Sequence, residues 1–154
     1  MKKHWTIILI FMMAVPVYLY SQTAQLIEEL LNTDAVSNQQ AAWLVLEAAD
    51  ISRQMGINSQ IEAFRFAAEQ QWLPMNAQAH GRARLDQISY LIMRSFNMRG
   101  GIFYSLFGGP HYAYRELVYR NLILGKTVPR MHVSGYDLLF IVNRVLSFQE
   151  ANIL

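Results

Sequence analysis

Apolar residues return every three to four positions through much of the chain beyond residue 22, and three fourteen-residue windows carry that pattern in the same phase. They are "VSNQQAAWLVLEAA" (36–49), "ARLDQISYLIMRSF" (83–96) and "VSGYDLLFIVNRVL" (133–146). Each opens on a small or aliphatic residue, runs through a polar segment and places an aromatic eighth, at Trp43, Tyr90 and Phe140. An aliphatic pair follows: Leu44 and Val45, Leu91 and Ile92, Ile141 and Val142. The windows are offset by 47 and 50 residues, a spacing expected of repeated supersecondary units. Ser37 and Ser134 stand where a helix needs an N-cap oxygen, so the windows predict helices.

A shorter amphipathic stretch precedes each window: "TAQLIEELL" from Thr23, "IEAFRFAAEQQWL" from Ile61 and "YAYRELVYRNLIL" from Tyr112. The intervening segments carry turn chemistry at 32–35, at Pro74 and Asn76, and at 125–129. Proline removes a ladder donor and restrains the residue before it, which makes these breaks between helices. No strand-like alternation of comparable length competes. The prediction is an all-α fold of three helix-loop-helix repeats, about 23–51, 61–98 and 112–148, in one domain over 23–154.

The first 22 residues read differently. Lys2 and Lys3 precede an apolar run from Trp5 to Tyr20, with no acid before Glu28, which is the pattern of a secretory signal. The run is interrupted by Pro16 and falls short of the ~20 apolar residues a spanning helix needs, so cleavage is expected, with an uncleaved anchor as the alternative. The expected location is the periplasm or cell envelope. The chain has no cysteine, so disulfides, thiolate metal sites and a lipid-modified cysteine are excluded. At 53% hydrophobic and 16% charged residues, the composition is that of a packed domain rather than a disordered chain.

Loss of Lys2 and Lys3 with the signal would leave the 11 acids balanced by equal numbers of Lys and Arg. The balance is uneven along the chain. Acids dominate from Thr23 to Ala79, whereas Arg82, Arg84, Arg94, Arg99, Arg115, Arg120, Arg130 and Arg144 make the second half basic. Such asymmetry points to an anionic partner or to halves that complement each other, and an exported chain is not expected to meet nucleic acid.

One segment departs from the helical pattern. "GGIFYSLFGGPHYAYREL" (100–117) concentrates aromatic rings, glycines and a proline between the second long helix and the third short one. Gly100 and Gly101 are expected to end the preceding helix at positive φ, and Ile102 to Phe107 to form a single helical turn closed by Gly108, Gly109 and Pro110. Two readings stand side by side. In one, Phe103, Phe107 and Tyr112 plug the axis of the assembly, as large aromatics in a core do. In the other, Tyr104, Tyr112, Tyr114 and His111 line a groove beside Arg115 and Arg120, where aromatic faces and guanidinium donors suit sugar rings bearing acidic groups.

Motifs for catalysis are not found. His111 and His132 have no HxH, HxxxH or His/acid ligand spacing, so neither a metal nor another cofactor is expected. Ser134, His132 and Asp137 lie close along the chain without a nucleophile elbow, and Ser134 reads as a cap. No phosphate loop occurs, since the "GGIFYSLFGG" stretch lacks the lysine that such a loop requires. The chain is therefore expected to be no enzyme.

Three copies of a short helix, a loop such as "NLILGKTVP" (121–129) and a longer helix with a polar opening together resemble the S-layer homology (SLH) repeat. Phrases such as "VSGYDLL" are also similar to those of exported spirochaetal proteins. The SLH resemblance implies a pseudo-threefold helical domain that binds wall polysaccharide through an arginine opening the longer helix and glycines in the preceding loop. Arg84, in "ARLDQ", matches that arginine, whereas "VSNQQ" and "VSGYD" lack it; Gly125 matches a loop glycine. The resulting expectation is a non-catalytic envelope module that binds wall polysaccharide or peptidoglycan or stabilises an envelope assembly. Its candidate contacts are Arg84, His111, Tyr112, Tyr114, Arg115 and Arg120. The alternative is a protein-protein adaptor docked to a larger envelope protein.

Overall fold

A computed structural model describes residues 26–152, so the segment 1–22, predicted to be a signal, lies outside the described residues. They are helical, with no strand among them, which bears out the all-α class. Residues 26–31 are helical and are followed by α1 (Asn38–Ala48), α2 (Ile51–Met55), α3 (Gln60–Glu69), α4 (Leu85–Ser95), α5 (Ile102–Phe107), α6 (Gly109–Tyr119) and α7 (Gly135–Ala151). Ser37 caps α1 in a reciprocal box: its hydroxyl accepts from the Gln40 amide at 3.3 Å, and its own amide donates to Gln40 Oε1 at 2.9 Å. Ser134 caps α7 by accepting from the Asp137 amide at 3.1 Å. Both serine caps are where the windows predict them. The five-residue α2, between Asp50 and Gly56, adds a helix that the periodicity does not predict.

The segments that lead into α1, α4 and α7 meet one another. Val36 donates its amide to the carbonyl of Val133 at 2.9 Å, and Ala83 donates to the carbonyl of Val36 at 2.8 Å. Short antiparallel bridges join Ser37 to Arg82 and Arg84 to His132. Val36, Ala83 and Val133 are all buried, so the amides of Val36 and Ala83 and the carbonyls of Val36 and Val133 must find protein partners rather than water, and these hydrogen bonds supply them. Gly135 approaches the end of the first helix: its amide donates to Thr33 at 2.8 Å, and a Cβ there would lie 1.6 Å from the Leu30 carbonyl oxygen. Only glycine permits that contact.

Around this junction α4 packs chiefly on α6, and α1 on α3. Leu46, Leu85, Ile88, Leu91, Ile92, Met93, Leu117 and Leu138 fill the core. Truncating side chains of this kind generally costs about 2–5 kcal/mol. In the three aligned windows the second member of the aliphatic pair is buried, at Val45, Ile92 and Val142. The aromatics before them differ: Trp43 and Tyr90 pack against the core, while Phe140 is exposed.

Two expectations for the 100–117 segment are corrected. Gly100 and Gly101 do not take positive φ; Asn97, at φ 48°, turns the chain after α4. Gly100 is required for another reason, since a Cβ there would lie 2.3 Å from the ring of Tyr104. Nor do Phe103 and Phe107 plug an axis: they are 64% and 65% exposed, and Tyr112 lies half-buried against Phe107. The kink comes instead from Gly108 (φ 59°, ψ −164°) and Gly109 (φ 82°), conformations closed to most side chains. They turn α5 outward.

Candidate functional site

Two clefts flank α6, and they divide the predicted contacts between them. The first, of about 510 Å³, is lined by Arg84, Asp86, His111, Val128, Pro129 and Arg130. Its floor is the start of α4, where Leu85 donates to Met131 at 2.9 Å and Asp86 to Pro129 at 2.7 Å, so the 128–131 loop is laced to the helix. Arg84 forms a two-point ion pair with Asp86, Nε to Oδ1 at 3.1 Å and Nη2 to Oδ2 at 2.5 Å. Asp86 also accepts from the Gln87 amide at 2.9 Å. The buried carboxylate is thereby neutralised and its oxygens are partnered, while the Arg84 side chain stays about one-third exposed at 35%. His111 and Arg130 stand exposed at the rim. Among the described residues neither makes an ion pair. With Asp86 answered by Arg84, the cleft presents the Arg130 guanidinium and the His111 ring without an unpaired acid among its lining residues.

The second cleft, of about 300 Å³, is lined in part by Phe103, Tyr104, Tyr112, Arg115 and Tyr119. Tyr112 stacks on Phe107, with ring centres 5.4 Å apart and planes 21° from parallel. Burial pushes the Tyr104 hydroxyl above the ordinary tyrosine range; Tyr90 and Glu116 push the same way and Arg94 opposes them.

Tyr114 and Arg120, also predicted as contacts, serve the fold instead. Tyr114 is buried, and its hydroxyl donates to the Thr127 carbonyl at 2.8 Å, tying α6 to the loop before α7. Arg120 donates to Glu116 at 2.8 Å and to the Arg99 carbonyl, and its guanidinium lies 5.4 Å from the centre of the Phe148 ring. A guanidinium so engaged has little left to offer a ligand.

Sequence reasoning missed Arg130, which a lone loop position does not advertise. It also missed a ladder on α7, where Tyr136 stacks near Phe140 (6.2 Å, 16°) and Arg144 lies 4.6 Å above the Phe140 ring. The i, i+4, i+8 spacing of those residues was the available signal. Tyr136 and Phe140 border a cleft of about 420 Å³ with Lys126 and Asp137.

As to chemistry, the Ser134 hydroxyl donates to Asp137 at 2.7 Å while capping α7, and the His132 ring faces the Ala83 carbonyl. Ser134, His132 and Asp137 are thus not chained as a nucleophile, base and acid. Among the described residues no three metal-ligating side chains cluster, and no helix is long and apolar enough to cross a membrane. Comparison with known protein families, with curated proteins and with solved structures finds no match for the chain.

Proposed function

We propose that this protein is a non-catalytic, exported cell-envelope module in which three helix-loop-helix units, arranged like SLH repeats, bind an anionic wall polymer. The observation that carries this reading is the cleft at the start of α4. It brings Arg84, the residue matching the family's arginine, together with His111 and Arg130 and cancels the one acid among them. Guanidinium donors held in such a frame suit carboxylate or phosphate groups on a glycan. The bridges between the segments before α1, α4 and α7 support the three-unit arrangement, since Val36, Ala83 and Val133 open the three aligned windows.

The test is co-sedimentation of the protein with sacculi purified from its own host, at low and high salt. Replacing His111 and Arg130 by alanine leaves the Arg84–Asp86 pair and the packing intact. The expected result is salt-sensitive pelleting that this double variant weakens by about tenfold or more, the usual size of a lost charge-assisted contact. Unchanged pelleting, with a native helical spectrum and melting temperature, would overturn the assignment.

A further inference from the structure

α5 is a helix that buries none of its six residues. Ile102, Phe103, Leu106 and Phe107 are each between 64% and 75% exposed. On the adjoining α6, Tyr119 is 83% exposed. Isolated apolar residues on a surface need no explanation, but a contiguous cluster of bulky ones does. The cluster also projects. Tyr104 alone ties α5 to the core, the turn at Gly108 and Gly109 leaves the other bulky side chains outward, and Leu106 and Phe107 line none of the clefts described above.

The charge around the cluster is of one sign. Arg99 lies three positions before Ile102, Arg115 shares the cleft with Phe103, and Arg94 lies near enough to Tyr104 to act on its hydroxyl. All three arginines are exposed, and none makes an ion pair among the described residues. Glu116, the acid in the same cleft, is taken by Arg120 and by the Gly101 amide. An apolar tip with a cationic collar matches a surface that is negative outside and apolar a few ångströms beneath. Long arginine stems let the guanidiniums stay at phosphate level while the tip goes deeper.

We propose that the knob formed by Ile102, Phe103, Leu106 and Phe107 seats the protein on a membrane by entering the headgroup layer of an anionic lipid surface. Arg94, Arg99 and Arg115 engage lipid phosphates around it. This contact is independent of the wall-polymer cleft and of the N-terminal apolar run.

Because the chain has no cysteine, one introduced thiol is unique. The full-length protein carrying Leu106→Cys, labelled with a polarity-sensitive nitrobenzoxadiazole dye, is titrated with phosphatidylglycerol-containing vesicles and with pure phosphatidylcholine vesicles. Met75→Cys, at a fully exposed loop position, reports attachment elsewhere. The expected result is a blue shift at position 106 that a lipid-borne quencher abolishes, and no shift at 75. Partitioning should be roughly a hundredfold stronger onto the anionic vesicles, as three surface arginines supply, and about tenfold or more weaker in Arg99→Gln/Arg115→Gln. An unmoved signal at 106, equal signals at 106 and 75, or equal partitioning onto both vesicles would overturn the proposal. So would a shift that grows with protein concentration in the absence of lipid, which would make the knob a contact between two copies.

Discussion

Gly135 shows how much of this fold can rest on one missing methyl group. Its place at the start of α7 looks unfavourable, since glycine weakens helices, yet the Leu30 carbonyl oxygen lies where its Cβ would be. Gly135→Ala is expected to cost about 3 kcal/mol or more, through clash with backbone that cannot move aside as a side chain could; chemical denaturation of the two proteins checks this. Tyr104 makes a different residue-scale prediction. Its hydroxyl is held above the ordinary value of 10.0 by burial, so the unfolded chain ionises first as pH rises. The neutral tyrosine therefore stabilises the fold fully below about pH 10, and that contribution disappears as pH climbs toward the raised value. Tyr104→Phe should lose less stability than the parent as pH rises above the ordinary value of 10.0, measured as the shift in denaturation midpoint. The contacts of Tyr114 and Arg120 were not legible in the sequence for a related reason. Thr127, Arg99 and Phe148 meet them only through tertiary packing, whereas the serine caps at Ser37 and Ser134 act within three residues and could be read directly.

At the scale of elements, helix ends are as informative as helix faces. α3, α4 and α6 all end in the same hydrogen-bonded reversal: Trp72 donates to Ala67, Met98 to Met93 and Leu122 to Leu117, each at 2.9 Å. The left-handed residue in these reversals is Gln71, Asn97 and Asn121, at φ 59°, 48° and 57°. Asparagine tolerates this region, but glutamine gains nothing there, and glycine is the usual occupant. Gln71→Gly is expected to stabilise the protein by about 0.5–1 kcal/mol, read as a rise of a few degrees in melting temperature. A sequence reading that looks for glycine at helix ends finds Gly100 instead, whose purpose is the close approach of Tyr104. α2 escaped notice because five residues are too few to show a period. α5 was visible as a helical turn, but its exposure was not: the letters of Ile102 to Phe107 are those of a core, and only Gly108 and Gly109, with their unusual backbone, direct them outward.

For the molecule as a whole, the pattern of three aligned windows pointed to equivalent helices but not to how their leading segments would join. That joining depends on backbone amides, which every residue carries and which leave no trace in residue type. The charge asymmetry was visible along the chain, and packing then sorted the second-half arginines into structural ties, a cleft and a collar. One feature of the junction bears on time rather than space. The amide of Val36 finds its acceptor at Val133, almost a hundred residues later. Chains emerge from the ribosome N-terminus first, so the Val36 amide waits for this acceptor until Val133 has been made. Closing so long a loop is slow compared with forming helices, so this bond forms after the closer ones that hold the start of α1, from Asn38 to Gly81 and from Ala83 to Val36. The junction is therefore completed in order, first between the segments before α1 and α4 and then with the segment before α7.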